Sequence, residues 1–304
     1  MMTPLKMWCL LPLAVLLLLS ISPMETKVVQ SMSQCKGFLL HETPPDIPGV
    51  LEDGNIPKQD RYKVICQTYE NVGRFVTLYD IQNKIPVFSA YKYKGEKGRK
   101  PECFWKIEPQ LENKDNINME DCNITTEYNN QASYNDYSGT YDKGHLFPLS
   151  YGFNEDDKIS TYTLTNAVPQ VDSFNQGSWR RMESCVKCIL DKYCNGEGYL
   201  VTGAKPSPNK KKNDRVNVPY ALWSAFCCGK GSTWKASAYW GENVQEDPES
   251  VYLEMKTLDQ FSQKFNIDVF PGTKCPYSET VPKSELKFPP NKNCNCLPNE
   301  KTNG

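Results

Sequence analysis

Phe75-Val76-Thr77-Leu78-Tyr79 and Ile85-Pro86-Val87-Phe88-Ser89-Ala90-Tyr91-Lys92-Tyr93 are two runs rich in β-branched and aromatic residues. Asp80-Ile81-Gln82-Asn83-Lys84 separates them. Long β-prone runs around a short polar break predict two antiparallel strands joined by a turn. Just upstream, Tyr62, Val64 and Cys66 alternate with polar neighbours. Downstream, residues 160–168 alternate well enough to predict a strand, and residues 199–203, 216–226 and 235–239 read as further strands.

Helical periodicity is sparse. Trp179, Met182, Val186, Ile189 or Leu190, and Tyr193 recur at helical spacing, with Asn175 or Ser178 as a cap and Asn195-Gly196 as the stop. Residues 258–265 predict a second, short helix. Residues 25–60 read as an irregular lead-in held by Cys35, and residues 94–140 as a polar surface excursion with some helix. No repeat or linker divides the chain. The expectation is one α+β domain on a largely antiparallel sheet, covering residues 23–304 with irregular extensions at both ends.

Residues 1–22 read as a secretory leader. Lys6 is its lone charge, and the apolar run from Met7 to Leu19 is 13 residues, against the ~20 needed to span a bilayer. No later stretch is apolar enough to span, so no stable membrane association is expected. Of the 13 cysteines, Cys9 lies in the leader. The even number left reads as a disulfide framework in an oxidising compartment, with connectivity open. In that setting Cys185-Val186-Lys187-Cys188 reads as disulfide rather than zinc, and the adjacent Cys227-Cys228 as two bridges to different partners. Asn123-Ile124-Thr125 is a glycosylation acceptor.

The formal charge of −1 weighs against an electrostatically driven nucleic-acid binder. Local charge differs. Lys210, Lys211 and Lys212 stand near Lys205 and Arg215, and Arg180-Arg181 opens the long helix. The three consecutive lysines read first as a solvated loop and second as a phosphate contact.

Two segments carry chemistry. Tyr141-Asp142-Lys143-Gly144-His145-Leu146 supplies an imidazole, and Thr165-Asn166-Ala167-Val168-Pro169-Gln170 runs on through Asn175-Gln176-Gly177-Ser178-Trp179 to Glu183. Phosphodiester hydrolysis needs a deprotonated water, neutralised phosphate oxygens and a stabilised leaving oxygen. An imidazole suits the first task. Mg²⁺, which prefers oxygen ligands and keeps several waters, suits the other two. Asn175 offers a neutral amide oxygen, and Glu183 a carboxylate to order metal-bound water. Eight residues of α-helix span ~12 Å, so the pair shares one ion only if Asn175 sits at the cap and points back along the helix. Asp142 reads as a turn brace, His41 has no role, and Trp223, Trp234 and Trp240 read as core or sheet-face residues.

Asp142-Lys143-Gly144-His145, followed by Asn166 and then Asn175 with Glu183, resembles the DNA/RNA non-specific endonuclease family. Its hallmark is Asp-Arg-Gly-His on a ββα-metal core. The strand runs quoted above resemble that family's secreted, disulfide-rich vertebrate branch. The resemblance implies a secreted endonuclease that cuts DNA and RNA with little sequence preference, using Mg²⁺ (Mn²⁺ substituting) and leaving 5′-phosphate ends. It implies His145 as general base, Asn175 as metal ligand, Asn166 as a support for the site or substrate, and Lys143 and Glu183 with them in the catalytic set. Arg99 and Arg180 become candidate phosphate contacts. Position 143 departs from the pattern: Lys is a point charge where Arg is a planar fork, so reduced activity is expected. A weak or inactive secreted binding protein on the same scaffold is the rival reading, and a hydrolase of small phosphoesters a third.

Overall fold

The computed structural model describes residues 28–102, 104–139, 141–230, 233–247, 251–289, 294 and 296. The expected leader and Cys103 lie outside them. In chain order the strands and helices are β1 (Val28–Val29), β2 (Tyr62–Tyr69), β3 (Val72–Asp80), β4 (Ile85–Tyr93), β5 (Lys106–Ile107), β6 (Glu120–Asp121), β7 (Tyr141–His145), α1 (Glu155–Ser160), β8 (Ala167–Val171), α2 (Asp172–Phe174), α3 (Arg180–Tyr193), β9 (Gly198–Lys205), β10 (Lys211–Lys212), β11 (Val216–Asn217), β12 (Ala221–Lys230), β13 (Thr233–Glu242) and α4 (Leu258–Phe265).

The α+β expectation holds. Seven strands form one sheet in the order β1-β2-β3-β4-β9-β12-β13, with every neighbouring pair antiparallel. The β3–β4 pair turns where the sequence breaks, with Leu78 opposite Phe88 and a register shift beside Tyr79. Both faces of the sheet are covered. Phe75, Tyr91, Tyr93 and Leu200 pack on Trp179, Met182, Val186 and Ile189 from the long helical run. Val64, Val76, Phe88, Ala90 and Val201 pack on Phe261 and Phe265 of α4 and on Met32, Leu39, Leu40 and Leu51 of the lead-in. Strands buried on both faces need no polar alternation, which is why β3 and β4 read as near-continuous apolar runs.

The lead-in therefore closes one face of the core as well as being tied through Cys35–Cys66. Cys185–Cys296 and Cys188–Cys294 pin the tail to α3, while Cys194–Cys228 and Cys227–Cys275 give the adjacent cysteines separate partners, as expected. Cys122 has no disulfide among the described residues. Trp223 is fully buried, and Trp234 and Trp240 pack against the α4-side core.

Three expectations fail locally. Residues 160–168 are not a strand: α1 ends at Ser160, a 3-10 turn spans Leu164–Asn166, and β8 begins only at Ala167. Threonine hydroxyls explain this. Thr161 Oγ1 donates to the Lys158 carbonyl, and Thr163 pairs with Thr165, so β-branched residues serve local turns. Residues 216–226 split into β11 and β12 around Pro219, which has no N–H for a ladder. Residues 94–140 form no α-helix among the described residues, only 3-10 turns and the β5–β6 pair.

Candidate active site

β7 and β8 form a separate two-stranded ribbon, with Gly144 opposite Val168 and His145 opposite Ala167. Gly144 is required there, because a Cβ at that position would collide with the buried Gln170 side chain. The close approach of the two backbones is what glycine supplies. The chain then turns directly from β8 into a continuous helical run: α2, a π-helical turn Asn175–Trp179, and α3. Strand, strand and helix converge on a cleft of about 550 Å³ lined by His145, Asn175, Gln176, Arg180, Glu183, Lys100, Lys158 and Tyr162 among others.

His145 is half-buried between two rings. Trp105 lies 5.0 Å away centroid to centroid, and Tyr162 meets it edge-on at 4.9 Å. Burial, then the charge of Lys100, pull the imidazole down to about 4, against a hydrogen bond with the Lys143 backbone. The ring is therefore neutral at pH 7. Its Nε2 is buried without a hydrogen-bond partner among the described residues. A neutral imidazole with an unused nitrogen at a cleft can accept a proton.

Asn175 does not cap the start of the long helix. It has helical dihedrals and sits inside the helical run. Its Nδ2 donates to Asp142 Oδ2 at 2.8 Å, and Gln176 Nε2 donates to the same oxygen at 3.0 Å. A carboxylate can only accept, so Asp142 commits the NH₂ side of the amide and leaves Oδ1 for the cleft. Asp142 thus braces the amide rather than a turn.

Asn175 and Glu183 both line the cleft, on either side of a break in the helical run at Gly177. Gly177, at φ −94° and ψ −113°, carries the break. Ser178 N and Oγ bond Glu246 at 2.7 and 2.9 Å, giving the disturbed turn an acceptor from outside the helix.

Burial pushes the Glu183 carboxyl up to about 8, offset in part by the Trp179 indole N–H and by Arg180. A folded-state value above the unfolded one favours folding fully below pH ~4.5 and loses that benefit as pH rises through about 8. Glu183→Gln is therefore expected to raise the metal-free unfolding midpoint at pH 8 by about 2–4 °C and to leave it unchanged at pH 4. Calorimetry in EDTA at both values checks this, and equal effects at the two pH values contradict it.

Several expected site residues lie elsewhere. Asn166 is fully buried and does not line the cleft. Its Oδ1 accepts from Ser89 Oγ and Phe147 N, and its Nδ2 donates to the carbonyls of Phe147 and Thr161. It holds the chain after His145 in place. Lys143 does not line the cleft either. Its ammonium sits 4.0 Å from the Tyr134 ring centroid and within 6 Å of the Tyr137 and Trp105 rings, and burial lowers its pKa. Arg99 is exposed outside the cleft, and its neighbour Lys100 lines it instead. Arg180 lines the cleft, and Asn123 is exposed in a turn where Thr125 bonds its Oδ1.

Lys100, Trp105, Lys158 and Tyr162 carried no motif signal. Lys158 is buried and donates to Glu96 Oε1 at 2.9 Å and to the Gly98 carbonyl, while Lys187 of α3 reaches the other Glu96 oxygen. This network ties down the loop that carries Lys100. Among the described residues no cluster of three His, Cys, Asp or Glu side chains could hold a metal ion.

The sequence profile described as DNA/RNA non-specific endonuclease matches residues 57–274. The human endonuclease domain-containing 1 protein is 32% identical over 213 residues, which is 66% of this chain and 40% of that protein. The chain thus spans well under half the length of that relative. A nuclease of Nostoc sp. is 30% identical over 29% of this chain and 32% of its own length. Among solved structures, that of the EndoG/EndoGI complex aligns with a TM-score of 0.49 at 16% identity, over 66% of this chain and 84% of that one.

Proposed function

Because this chain belongs to the DNA/RNA non-specific endonuclease family, we propose that it is a secreted, Mg²⁺-dependent endonuclease acting on DNA and RNA with little sequence preference. One observation carries the reading. The unpartnered Nε2 of His145 and the amide that Asp142 holds in one orientation line a single cleft.

The donor set fits a hard divalent ion. Asn175 Oδ1 would hold it, and a one-ligand site suits Mg²⁺, which keeps most of its waters. When bound, the ion supplies charge neutralisation at the phosphate and the leaving oxygen. His145 Nε2 takes a proton from the attacking water, and the Trp105 and Tyr162 rings packed against the imidazole hold its orientation. Arg180 and Lys100 set positive charge at the cleft for the phosphate. Glu183, whose carboxyl burial pushes up to about 8, would order water at the cleft once a nearby cation favoured its carboxylate form.

Asn175→Ala is expected to raise the Mg²⁺ concentration for half-maximal plasmid nicking by ~10-fold or more. An unchanged requirement excludes Asn175 as the ligand. Nicking of supercoiled plasmid with and without EDTA tests the activity itself.

The leader read at residues 1–22, the bridges tying the tail and sheet, and the exposed Asn123 support secretion. No helix among the described residues is long and apolar enough to cross a membrane. One observation favours the rival reading of a weak or inactive nucleic-acid-binding protein: Lys143, standing where the family pattern has Arg, is enclosed by aromatic rings instead of facing the cleft. Binding of plasmid without nicking in either Mg²⁺ or Mn²⁺ would select it.

A further inference from the structure

The cations at residues 205–215 divide into two groups. Lys205 packs over Phe265 on the α4 side of the sheet, where burial lowers its pKa. Arg215 is consumed by Glu127, Asp136 and the Tyr128 carbonyl. Lys210, Lys211 and Lys212 have no carboxylate within ion-pair distance among the described residues.

These three lysines stand on a held element rather than a loose loop. β10 pairs with β11, placing Lys211 opposite Asn217 and Lys212 opposite Val216. Asn217 clamps the entry to the hairpin through two hydrogen bonds with Ser207, and Val218 N bonds the Lys210 carbonyl. Arg215 anchors the exit. A rigid hairpin that presents three unpaired ammonium groups loses little entropy when it meets an anion.

Its position is tied to the cleft. Lys210 Nζ lies 5.5 Å from the Tyr141 ring centroid, and Lys212 Nζ approaches Gly139. Tyr141 begins β7, Asp142 follows it and holds Asn175, and His145 ends the strand. Four residues of strand cover ~13 Å. That is about four nucleotide steps of one stacked strand.

We propose that the hairpin at residues 210–212 is a phosphate-binding track for the nucleic-acid strand running out of the cleft along β7. The preferred substrate is then a polymer of at least about five nucleotides, read through its backbone and not its bases. Lys210 and Lys212 meet the phosphates nearest Tyr141 and Gly139, and Lys211 extends the track outward. The proposal rests on the nuclease reading for its substrate class, while the surface itself is open to measurement without catalysis.

The test compares wild type with the K210A/K211A/K212A triple variant on labelled single-stranded oligonucleotides of about two, four, six and ten residues. In wild type, kcat/KM should climb with length and level off near six. The variant should cleave the shortest substrate as wild type does, and fall ~10-fold below it on the longest. Binding of the ten-residue strand in EDTA, followed by anisotropy against salt, should show a slope shallower by about 2 in the variant, because each phosphate that a lysine neutralises adds ~0.7 to the slope for a single strand. If wild type cleaves nothing yet binds with this lysine-dependent slope, the nuclease reading fails and the track stands. If the variant keeps wild-type length dependence, or keeps the salt slope in EDTA, the track is overturned. Tighter lysine-dependent binding of a sulfated oligosaccharide of equal charge would also overturn it, assigning the hairpin to polysaccharide.

Discussion

His145→Ala should lower plasmid nicking by about 10²- to 10⁴-fold, the usual contribution of a positioned general base. The reason is the combination of protonation state and geometry. The ring is neutral because burial and Lys100 hold its pKa near 4, and its Nε2 has no partner among the described residues. The pH profile gives an independent check. A base is lost as pH falls through its pKa, so the acid limb of the wild-type profile should lie near 4, below the ~6.5 of a free imidazole. Linkage has a sign here as well. A His depressed in the folded state favours folding above pH ~6.5, and that benefit is lost as pH falls through about 4. The alanine variant should therefore lose less stability than wild type over that interval. Full nicking activity in the variant removes His145 from the mechanism, and an acid limb near 6.5 removes the buried ring as its source.

Asn166→Ala should cost about 2–4 kcal/mol of stability. It leaves the Phe147 N–H and two backbone carbonyls in the interior without the amide that bonded them, at ~1–3 kcal/mol per unsatisfied group. Any loss of activity should follow that loss of fold. Residual turnover per folded molecule is expected well above that of His145→Ala, and the Mg²⁺ requirement should be unchanged. Denaturant unfolding together with nicking at a temperature where the variant is folded separates the two effects. A variant as stable as wild type but inactive would return Asn166 to the catalytic set. The effect is large because Asn166 ends a buried relay: Gln67 donates to Thr77 and Thr165, Thr77 pairs with Ser89, and Ser89 donates to Asn166. The sheet strands and the turn that sets the course of the chain after His145 are thereby one hydrogen-bonded unit.

Much of the site was legible in residue types and spacing. Residue type offered an imidazole, an amide and a carboxylate, the resemblance to a family pattern pointed to His145, Asn175 and Glu183 as a set, and all three line the cleft. Arg99 and Lys100 are adjacent and identical in charge, so only the path of the loop, tied through Glu96 and Lys158, decides that Lys100 faces inward. Lys143 and His145 alternate onto one side of β7 by the strand's period. Trp105 and Tyr134 come from far earlier or separate turns to enclose the ammonium, which no local pattern announces.

By itself, the order of residues determined the strands on either side of residues 80–84, the α4 helix, the disulfide chemistry and the candidacy of His145, Asn175 and Glu183, because each depends on local propensity or on what a side chain can do. The tertiary structure alone decided which cysteines meet, that Asn175 stands inside the helical run instead of capping it at its start, and that Asp142 takes the NH₂ side of the Asn175 amide. Those outcomes depend on segments far apart in the chain coming within a few ångströms. The backbone break at Gly177 falls between Asn175 and Glu183, which line one cleft.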